Sequence, residues 1–165
     1  MPQEIALYGN LTARENLAYF GALQGLGGRV LAARTAACLE SVGLTARADD
    51  WVGTFSGGMK RRANLAAALL SEPEVLLLDE PTVGIDAQSR HLILSHLAEL
   101  RGRGMTLIYT THYMEEAASL CDRVVILDRG RIVAEGEPAA LVASHSPARD
   151  LEDLFLRLTG HTLRD

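Results

Sequence analysis

The stretch FSGGMKRRANLAAALLSEPEVLLLDEPTVGID, residues 55–86, decides the fold, because its hydrophobic pattern changes halfway along. In the first half, apolar residues recur at helical spacing after Ser-Gly-Gly, which predicts a helix over residues 58–70. In the second half, an unbroken apolar run at residues 75–78 leads directly into Asp79 and Glu80. Such a run is typical of a strand that is buried on both faces of a parallel sheet. The stretch therefore predicts a helix and then a buried strand that ends in two carboxylates.

The rest of the chain extends both patterns. Helical periodicity, with start and stop signals, predicts five further helices, at residues 12–24, 29–42, 88–101, 115–120 and 151–158. Apolar β-like runs predict three further strands, at residues 105–109, 124–127 and 132–134. Thr12 and Glu15 have the spacing of a capping box at the first helix. The turn at residues 128–131 joins the last two strands into a predicted hairpin.

Strands separated by helices predict the α/β class with a mostly parallel sheet. The helices that precede the first strand suggest an α-helical subdomain inserted into this α/β core. We therefore expect one partial domain over residues 1–165, with the helical subdomain at about 10–70. The α/β core is expected over residues 71–145 and a C-terminal helix over residues 146–165.

Composition excludes several classes of function. The 165 residues carry a net charge of −5, which disfavours a non-specific nucleic-acid binder because phosphate backbones require a basic surface. No apolar run approaches the length of a membrane-spanning helix, and the first ten residues lack the pattern of a secretion signal. Cys38 and Cys121 have no metal-ligand spacing and are expected to be reduced thiols.

The acidic pair after the predicted strand is a candidate for metal and acid–base chemistry. Strands of α/β proteins bind ligands at their carboxyl ends. There, Asp79 could hold Mg²⁺ through water, and Glu80 could deprotonate an attacking water. Taken alone, the same residues fit a strand that simply ends in charged side chains.

The Ser-Gly-Gly opening of the helix is a candidate anion site. Glycines let the backbone approach an anion, and a helix N-terminus offers N–H groups and partial positive charge. Ser56 adds a hydroxyl donor, although a flexible N-cap explains the same residues. Further along this helix, Lys60, Arg61 and Asn64 are expected on faces other than the apolar one.

The order and spacing of these motifs resemble the ATP-binding-cassette (ABC) ATPases over essentially the whole chain. FSGGM (residues 55–59) resembles the signature loop of that family, VLLLDE (75–80) its Walker B strand and VGID (83–86) its D-loop. His112 in IYTTH falls at the switch histidine, and Gln3 matches the Q-loop glutamine. The resemblance implies a P-loop NTPase core that binds ATP and Mg²⁺.

The resemblance implies a role for each matching residue on the hydrolytic side. Asp79 supports Mg²⁺, Glu80 is the general base for the attacking water, and His112 contacts the γ-phosphate. Gln3 reaches toward Mg²⁺ and the attacking water. Without the resemblance, a lone histidine after a strand is more often structural.

Other residues are implied to act between two subunits. Ser56, Gly57 and Gly58 bind the γ-phosphate of ATP held by the partner subunit. Asp86 crosses the dimer interface, and it also fits an N-cap for the following helix. The implied partners are a transmembrane permease and a second ATPase subunit, either identical or paralogous. The implied location is peripheral, at the cytoplasmic face of the plasma membrane, with no nucleic-acid partner.

The sequence also departs from the family. It contains no GxxxxGK[ST] loop (Walker A), because its one lysine, Lys60, lies between Met59 and Arg61. The aromatic residue that stacks on adenine is absent too, and the chain begins at the Q-loop. A fragmentary sequence is the favoured explanation, with an engineered piece and a truncated gene as alternatives. We expect no ATP hydrolysis and poor solubility from these 165 residues alone.

Three functions are compatible with these motifs. ENLAYFGALQGL (residues 15–26), EPTVGIDAQSR (80–90) and the tail at residues 151–165 resemble ATPases of bacterial drug and polysaccharide exporters, the daunorubicin-resistance type. The first hypothesis is therefore an ATP-hydrolysing exporter subunit. The second is a non-hydrolysing chain that only offers its signature loop to a partner. The third, a soluble ABC protein acting on DNA or ribosomes, is disfavoured by the acidic charge and by the lack of long coiled-coil arms.

Overall fold

A computed structural model describes residues 1–160, which fall into two compact units divided after Ile108. The first unit is Met1–Ile108, and the second unit begins at Tyr109. The helices are α1 (Ala13–Leu23), α2 (Gly28–Ser41), α3 (Gly57–Leu69), α4 (Ala87–Gly102), α5 (Met114–Leu120), α6 (Pro138–Ser144) and α7 (Leu151–Thr159). The strands are β1 (Val75–Asp79), β2 (Thr106–Thr110), β3 (Val124–Asp128) and β4 (Arg131–Gly136). The final residues of the predicted C-terminal segment, 161–165, lie outside the described part.

The first helix begins where its capping box predicts. The Thr12 hydroxyl accepts a hydrogen bond from the Glu15 amide at 3.1 Å, and the Glu15 carboxylate accepts one from the Thr12 amide at 2.8 Å. Two of the otherwise unpaired N–H groups of a helix start are thereby satisfied. The capping-box prediction is confirmed.

Helix α3 lies at the centre of the first unit and packs against α1, α2 and α4. The unit is held together by fully buried apolar side chains, which include Leu17, Leu39, Leu65, Leu70, Ile93 and Leu97. Because α3 is covered on several sides, its polar residues are buried as well. Arg61 is 6% exposed and Asn64 is 5% exposed, so the faces of α3 outside its apolar one are buried as well.

The segment before α1 is fixed by a buried asparagine that the sequence patterns did not predict. The Asn16 side chain accepts a hydrogen bond from the Tyr8 amide at 2.8 Å and donates one to the Tyr8 carbonyl at 2.9 Å. It donates another to the Thr12 carbonyl at 2.9 Å. A buried amide is favourable only when its polar atoms are paired in this way. The loop that follows Gln3 is thus tied to the helical part of the unit.

Strands β1 and β2 form a two-stranded parallel sheet, as the α/β prediction requires. Burial on both faces is not found for β1. Leu76 and Leu78 are buried, whereas Val75 is 45% exposed and Leu77 is 59% exposed. Buried and exposed positions alternate along the strand, as in a sheet with one covered face.

The second unit contains the predicted hairpin. β3 and β4 pair antiparallel, with Val124 opposite Gly136 and Asp128 opposite Arg131. Arg129 (φ 47°) and Gly130 (φ 75°) both have the positive φ that a two-residue hairpin turn needs. The core of the unit joins the hairpin to α6 and α7 through Val124, Ile126, Leu141, Leu151 and Leu154.

Helix α6 was not predicted from the sequence. It is only seven residues long, and its one signal is Pro138 at the first position, where a missing N–H does no harm.

Among residues 1–160, no helix is long and apolar enough to cross a membrane.

Candidate functional site

The candidate site lies in the first unit, at the carboxyl end of β1. Asp79 is the last residue of the strand and is exposed. Glu80 follows with a φ of 43°, which few residues with a side chain adopt. The Glu80 carbonyl accepts a hydrogen bond from the Val83 amide at 3.3 Å, which closes the turn after the strand. Strained backbone of this kind is often found at functional sites.

Gln3 meets this turn although it is far away in sequence. Its amide nitrogen Nε2 donates a hydrogen bond to Glu80 Oε2 at 2.9 Å. The segment that carries Gln3 runs beside β1, since the Asp79 amide donates to the Met1 carbonyl at 3.1 Å. The Met1 amino group also donates to the Leu77 carbonyl. The structure thus brings together Gln3, Asp79 and Glu80, three of the residues predicted for hydrolysis.

The Ser-Gly-Gly loop begins α3. Ser56 is the N-cap, and its hydroxyl oxygen accepts a hydrogen bond from the Met59 amide at 3.2 Å. Ser56 and Gly57 are exposed, while Gly58 is buried. A hydroxyl that accepts this bond still has its own proton to donate, and the first turn of the helix presents N–H groups. The exposed start of α3 therefore fits a phosphate group.

Gly58 is required by packing. A Cβ at this position would lie 2.0 Å from Ser89 Oγ and 2.4 Å from Ser89 Cβ, in the first turn of α4. At Gly57 the nearest atom to such a Cβ is the Gly84 carbonyl oxygen, at 3.7 Å, which is an ordinary contact. Packing therefore requires a glycine at position 58 and does not require one at position 57.

Asp86 is the N-cap of α4, which confirms one of its two interpretations. Its side chain accepts a hydrogen bond from the Ser89 amide at 2.8 Å. Hydrogen bonds from Ser89 hold the pKa of the Asp86 carboxyl below its usual value. The carboxylate is exposed, and it lies close enough to Gly58 that a Cβ there would come within 2.9 Å of Asp86 Oδ2. The signature loop and the start of α4 are therefore neighbours within one chain.

Arg61 is a member of this region that sequence reasoning missed. Its guanidinium donates to the backbone carbonyls of Gln3 and, at 3.4 Å, of Val83. Burial lowers the pKa of Arg61, and the charge of Glu80 opposes this shift. The run Lys-Arg-Arg gave no signal that Arg61 would be buried.

His112 lies in the second unit, directly after β2. It is half-buried, and its ring stacks at a tilt on Tyr113 with 4.2 Å between the ring centroids. The Tyr113 amide donates to the Thr111 hydroxyl at 2.9 Å, which shapes the loop. His112 and the Glu80 turn belong to different units, and a contact between them stays a prediction.

The donor set at the end of β1 suits a hard cation that keeps several waters. Mg²⁺ takes one or two protein oxygens and completes its shell with water and phosphate. Asp79 supplies a carboxylate, and Gln3 has an amide oxygen besides the nitrogen that contacts Glu80. Within the described residues no group of three or more His, Cys, Asp or Glu side chains forms an all-protein metal cage. Mg²⁺ bound together with a nucleotide fits these residues, whereas a structural metal centre does not.

The fold of this chain is similar to that of a solved structure. A solved structure described as the ATP-binding subunit of an ABC transporter matches with a TM-score of 0.81 and 29% identity, over 95% of this chain and 66% of that chain. The parallel α/β core with its helical part is thus the fold of a P-loop ATPase.

The sequence model of the ABC transporter family matches residues 1–83, which hold the segment at Gln3, the FSGG loop and the Asp79–Glu80 pair. The chain belongs to the ABC transporter family and matches part of its ATP-binding domain. A further model, described as an AAA domain, putative AbiEii toxin of a type IV toxin–antitoxin system, matches residues 51–117.

Two similar proteins have names that describe resistance or export. The linearmycin resistance ATP-binding protein LnrL of Bacillus subtilis strain 168 is 57% identical over 99% of this chain and 48% of its own length. The Nod factor export ATP-binding protein I of Rhizobium sp. strain N33 is 46% identical over 92% of this chain and 50% of its own length. The chain spans about half the length of the curated relatives it matches.

Proposed function

We propose that this chain is part of an ATP-hydrolysing subunit of an ABC-type exporter, with Glu80 as the general base. The observation that supports this most directly is the hydrogen bond from Gln3 to Glu80 at the carboxyl end of β1. Two residues 77 positions apart meet at the edge of the sheet where α/β proteins bind ligands. Their pairing is hard to explain by packing, because Gln3 is exposed and Glu80 is only partly buried.

The proposed chemistry begins with the carboxylate of Glu80. An ionised carboxylate has several lone pairs, so one oxygen can accept the Gln3 amide while the group still takes a proton from water. Gln3 fixes the direction in which the carboxylate points. Asp79, with the Gln3 amide oxygen, would hold Mg²⁺, which neutralises charge that develops on the phosphates when it is bound. His112 would contact the γ-phosphate from the loop after β2.

The start of α3 is proposed to act on a nucleotide held by a second subunit. Ser56 and Gly57 are exposed at a helix N-terminus, the element that best accommodates phosphate oxygens. Gly58 lets this helix start approach α4, and Asp86 beside it would reach across the dimer interface. A loop that contacts the partner's ATP does not require a lysine of its own.

The proposed setting is an exporter at the cytoplasmic face of the plasma membrane, where the chain binds a permease peripherally. The partner ATPase subunit is identical or paralogous. Support comes from the names of the relatives, which concern linearmycin resistance and Nod factor export. In this setting residues of about 10–70 form the helical subdomain, 71–145 the α/β core and 146–165 a C-terminal segment.

The role of Glu80 is tested by phosphate release from the complete gene product, including any residues encoded upstream of Met1. Glu80→Gln should lower the rate of ATP hydrolysis by about 10²- to 10⁴-fold, because the amide cannot accept the proton. ATP binding should persist, since the two side chains have nearly the same shape. Unchanged turnover in Glu80→Gln contradicts the assignment.

The matched control is Glu74→Gln. Glu74 is an exposed carboxylate at the opposite end of the same strand, where its backbone carbonyl accepts a hydrogen bond from Thr106 at 3.0 Å. The same chemical change at this distance from the site should leave turnover unchanged. An equal loss in both variants would indicate a general electrostatic effect.

A further inference from the structure

Arg61 is a buried charge that the proposed chemistry does not yet use. It is 6% exposed, within the second turn of α3. One nitrogen, Nη1, donates to the carbonyls of Gln3 and, at 3.5 Å, of Pro2, and Nη2 donates to the carbonyl of Val83 at 3.4 Å. A guanidinium stays charged in proteins, so its desolvation must be offset by groups such as these. Glu80 adds a favourable charge interaction.

These carbonyls belong to two segments of the candidate site. The Gln3 side chain donates to the Glu80 carboxylate at 2.9 Å. Val83 lies in the turn that follows Glu80, and its amide donates to the Glu80 carbonyl at 3.3 Å. Arg61 itself belongs to the helix that starts at Ser56. One side chain therefore connects the start of α3 with both segments that carry Glu80 and its partner.

The neighbouring Arg62 shows that burial against carbonyls does not by itself imply this role. Its Nη1 donates to the carbonyls of Val42 at 2.7 Å and Gly43 at 3.3 Å. Burial lowers the pKa of Arg62 too. Its hydrogen bonds, however, join α3 to the end of α2, and the charge that opposes its pKa shift is that of Asp86 and not that of Glu80. The two arginines share a chemical environment and differ in which segment they hold.

We propose that Arg61 is a positioning residue for ATP hydrolysis, an inference that rests on the proposed function. Its guanidinium holds the backbone of Gln3 and the turn at Val83 against α3. The Gln3 amide thereby stays on the Glu80 carboxylate, at a fixed distance from the Ser56 loop. Loss of these contacts lowers the rate at which bound ATP is hydrolysed, while ATP binding changes little.

The kinetic test compares Arg61→Met and Arg61→Lys with Arg62→Met and Arg62→Lys in the complete gene product, with ATP as substrate. Rates are expressed per bound nucleotide, measured by equilibrium binding of a fluorescent ATP analogue, so that misfolded molecules are not counted. Both Arg61 variants should lower kcat by about ten- to a hundredfold with KM within about twofold. Arg61→Lys should not restore the rate, because one ammonium cannot span both segments.

The Arg62 variants should melt at lower temperature, as the Arg61 variants do, yet keep kcat within about twofold of the parent. A double substitution separates positioning from general damage. In a Gln3→Ala background, Arg61→Met should cause little further loss, because the residue it positions is gone. A full additional loss, a rescue by Arg61→Lys, or an equal loss of kcat in the Arg62 variants overturns the proposal.

Hydrogen exchange gives a readout that does not need turnover. Amides of residues 1–5 and 80–84 should exchange faster in Arg61→Met than in the parent, and at the parent rate in Arg62→Met. If the parent gene product does not hydrolyse ATP, the proposed function fails. The exchange pattern then decides on its own whether Arg61 holds these segments, and unchanged protection in Arg61→Met refutes the inference.

Discussion

At the scale of single residues, two neighbouring glycines carry different constraints. Gly57 sits at an exposed helix start, where added atoms meet open space and one carbonyl at 3.7 Å. Gly58 faces Ser89 so closely that a Cβ would overlap its side chain. The identity of Gly58 therefore follows from the approach of α3 to α4, whereas packing does not require a glycine at position 57.

Gly58→Ala is expected to destabilise the complete gene product by about 1–3 kcal/mol, the usual range for an overpacked buried position. The added methyl must displace Ser89, which is 6% exposed and has little room to move. Thermal unfolding monitored by circular dichroism measures the change. Gly57→Ala is the matched control and should leave the melting temperature nearly unchanged. Equal melting temperatures for the two variants would contradict the packing explanation.

Sequence patterns indicated candidate residues for the site and did not indicate the contacts that hold those residues. Gln3 and Glu80 were paired only through the family resemblance, because no local pattern joins positions so far apart. The same patterns assigned the glycines to anion binding and did not show the contact between Gly58 and Ser89. Contacts between distant elements depend on how helices pack, and a single sequence does not contain that information.

At the scale of elements, helix starts were predicted well and exposure was not. Thr12 and Asp86 cap their helices because a side-chain oxygen binds an amide three residues on, a local interaction. The burial of Arg61 and Asn64 was not indicated by the sequence, because α3 packs against three helices and helical spacing does not define one solvent face. β1 was expected to be covered on both faces, and that expectation needed neighbours that the described residues do not provide.

Helix α4 carries a pH-sensitive group, His96, beside a cavity of about 220 Å³. Burial lowers the pKa of His96 below its ordinary value of 6.5, and the attraction of Glu99, whose Oε2 is 3.7 Å from Nδ1, only partly opposes this. Glu40 of α2 and Arg62 of α3 line the same cavity. The charged form of His96 is therefore less favourable in the folded state than in the unfolded chain.

The sign of the resulting pH dependence follows from linkage. Above pH 6.5 the imidazole is neutral in both states, and the stability is fully present. As the pH falls through the lowered pKa, the unfolded chain binds a proton more readily, so the free energy of unfolding decreases. Denaturant titrations from about pH 7.5 to about pH 5.5 measure this slope.

The matched pair for this measurement is His96→Gln and His91→Gln. His96→Gln should remove part of the loss of stability at acidic pH, because glutamine does not titrate in this range. His91 is an exposed histidine on the same helix, and its replacement should leave the slope as it is in the parent. An unchanged slope in His96→Gln would show that other groups dominate.

At the scale of the whole molecule, the residues proposed for ATP hydrolysis occur in both compact units. Gln3, Asp79, Glu80 and Arg61 are brought together within the first unit, while His112 belongs to the second. The start of α3 would serve a nucleotide held by another chain. The 165 residues contain no phosphate-binding lysine loop, so hydrolysis is expected from the complete, assembled gene product and not from these residues alone.

The exposed strand residues lead to a prediction about association of the 165-residue chain. Leu77 of β1 is 59% exposed, and Leu127 of β3 is 63% exposed. Apolar side chains displayed on strands favour contact with further copies, because burying each leucine contributes about 1.5–3 kcal/mol. We expect the chain to form oligomers as its concentration rises, as measured by size-exclusion chromatography with light scattering.

Replacing both strand leucines tests whether these positions drive association. Leu77→Lys combined with Leu127→Lys should raise the concentration needed for association by about tenfold or more, since each lysine places a charge where apolar contact is lost. Leu23→Lys is the control. Leu23 is 67% exposed on α1, so this substitution makes the same chemical change at an exposed position on a helix. If Leu23→Lys has the larger effect, the helical surface associates instead. A monodisperse, cooperatively melting monomer of the unmodified chain would show that the exposed strand residues are tolerated.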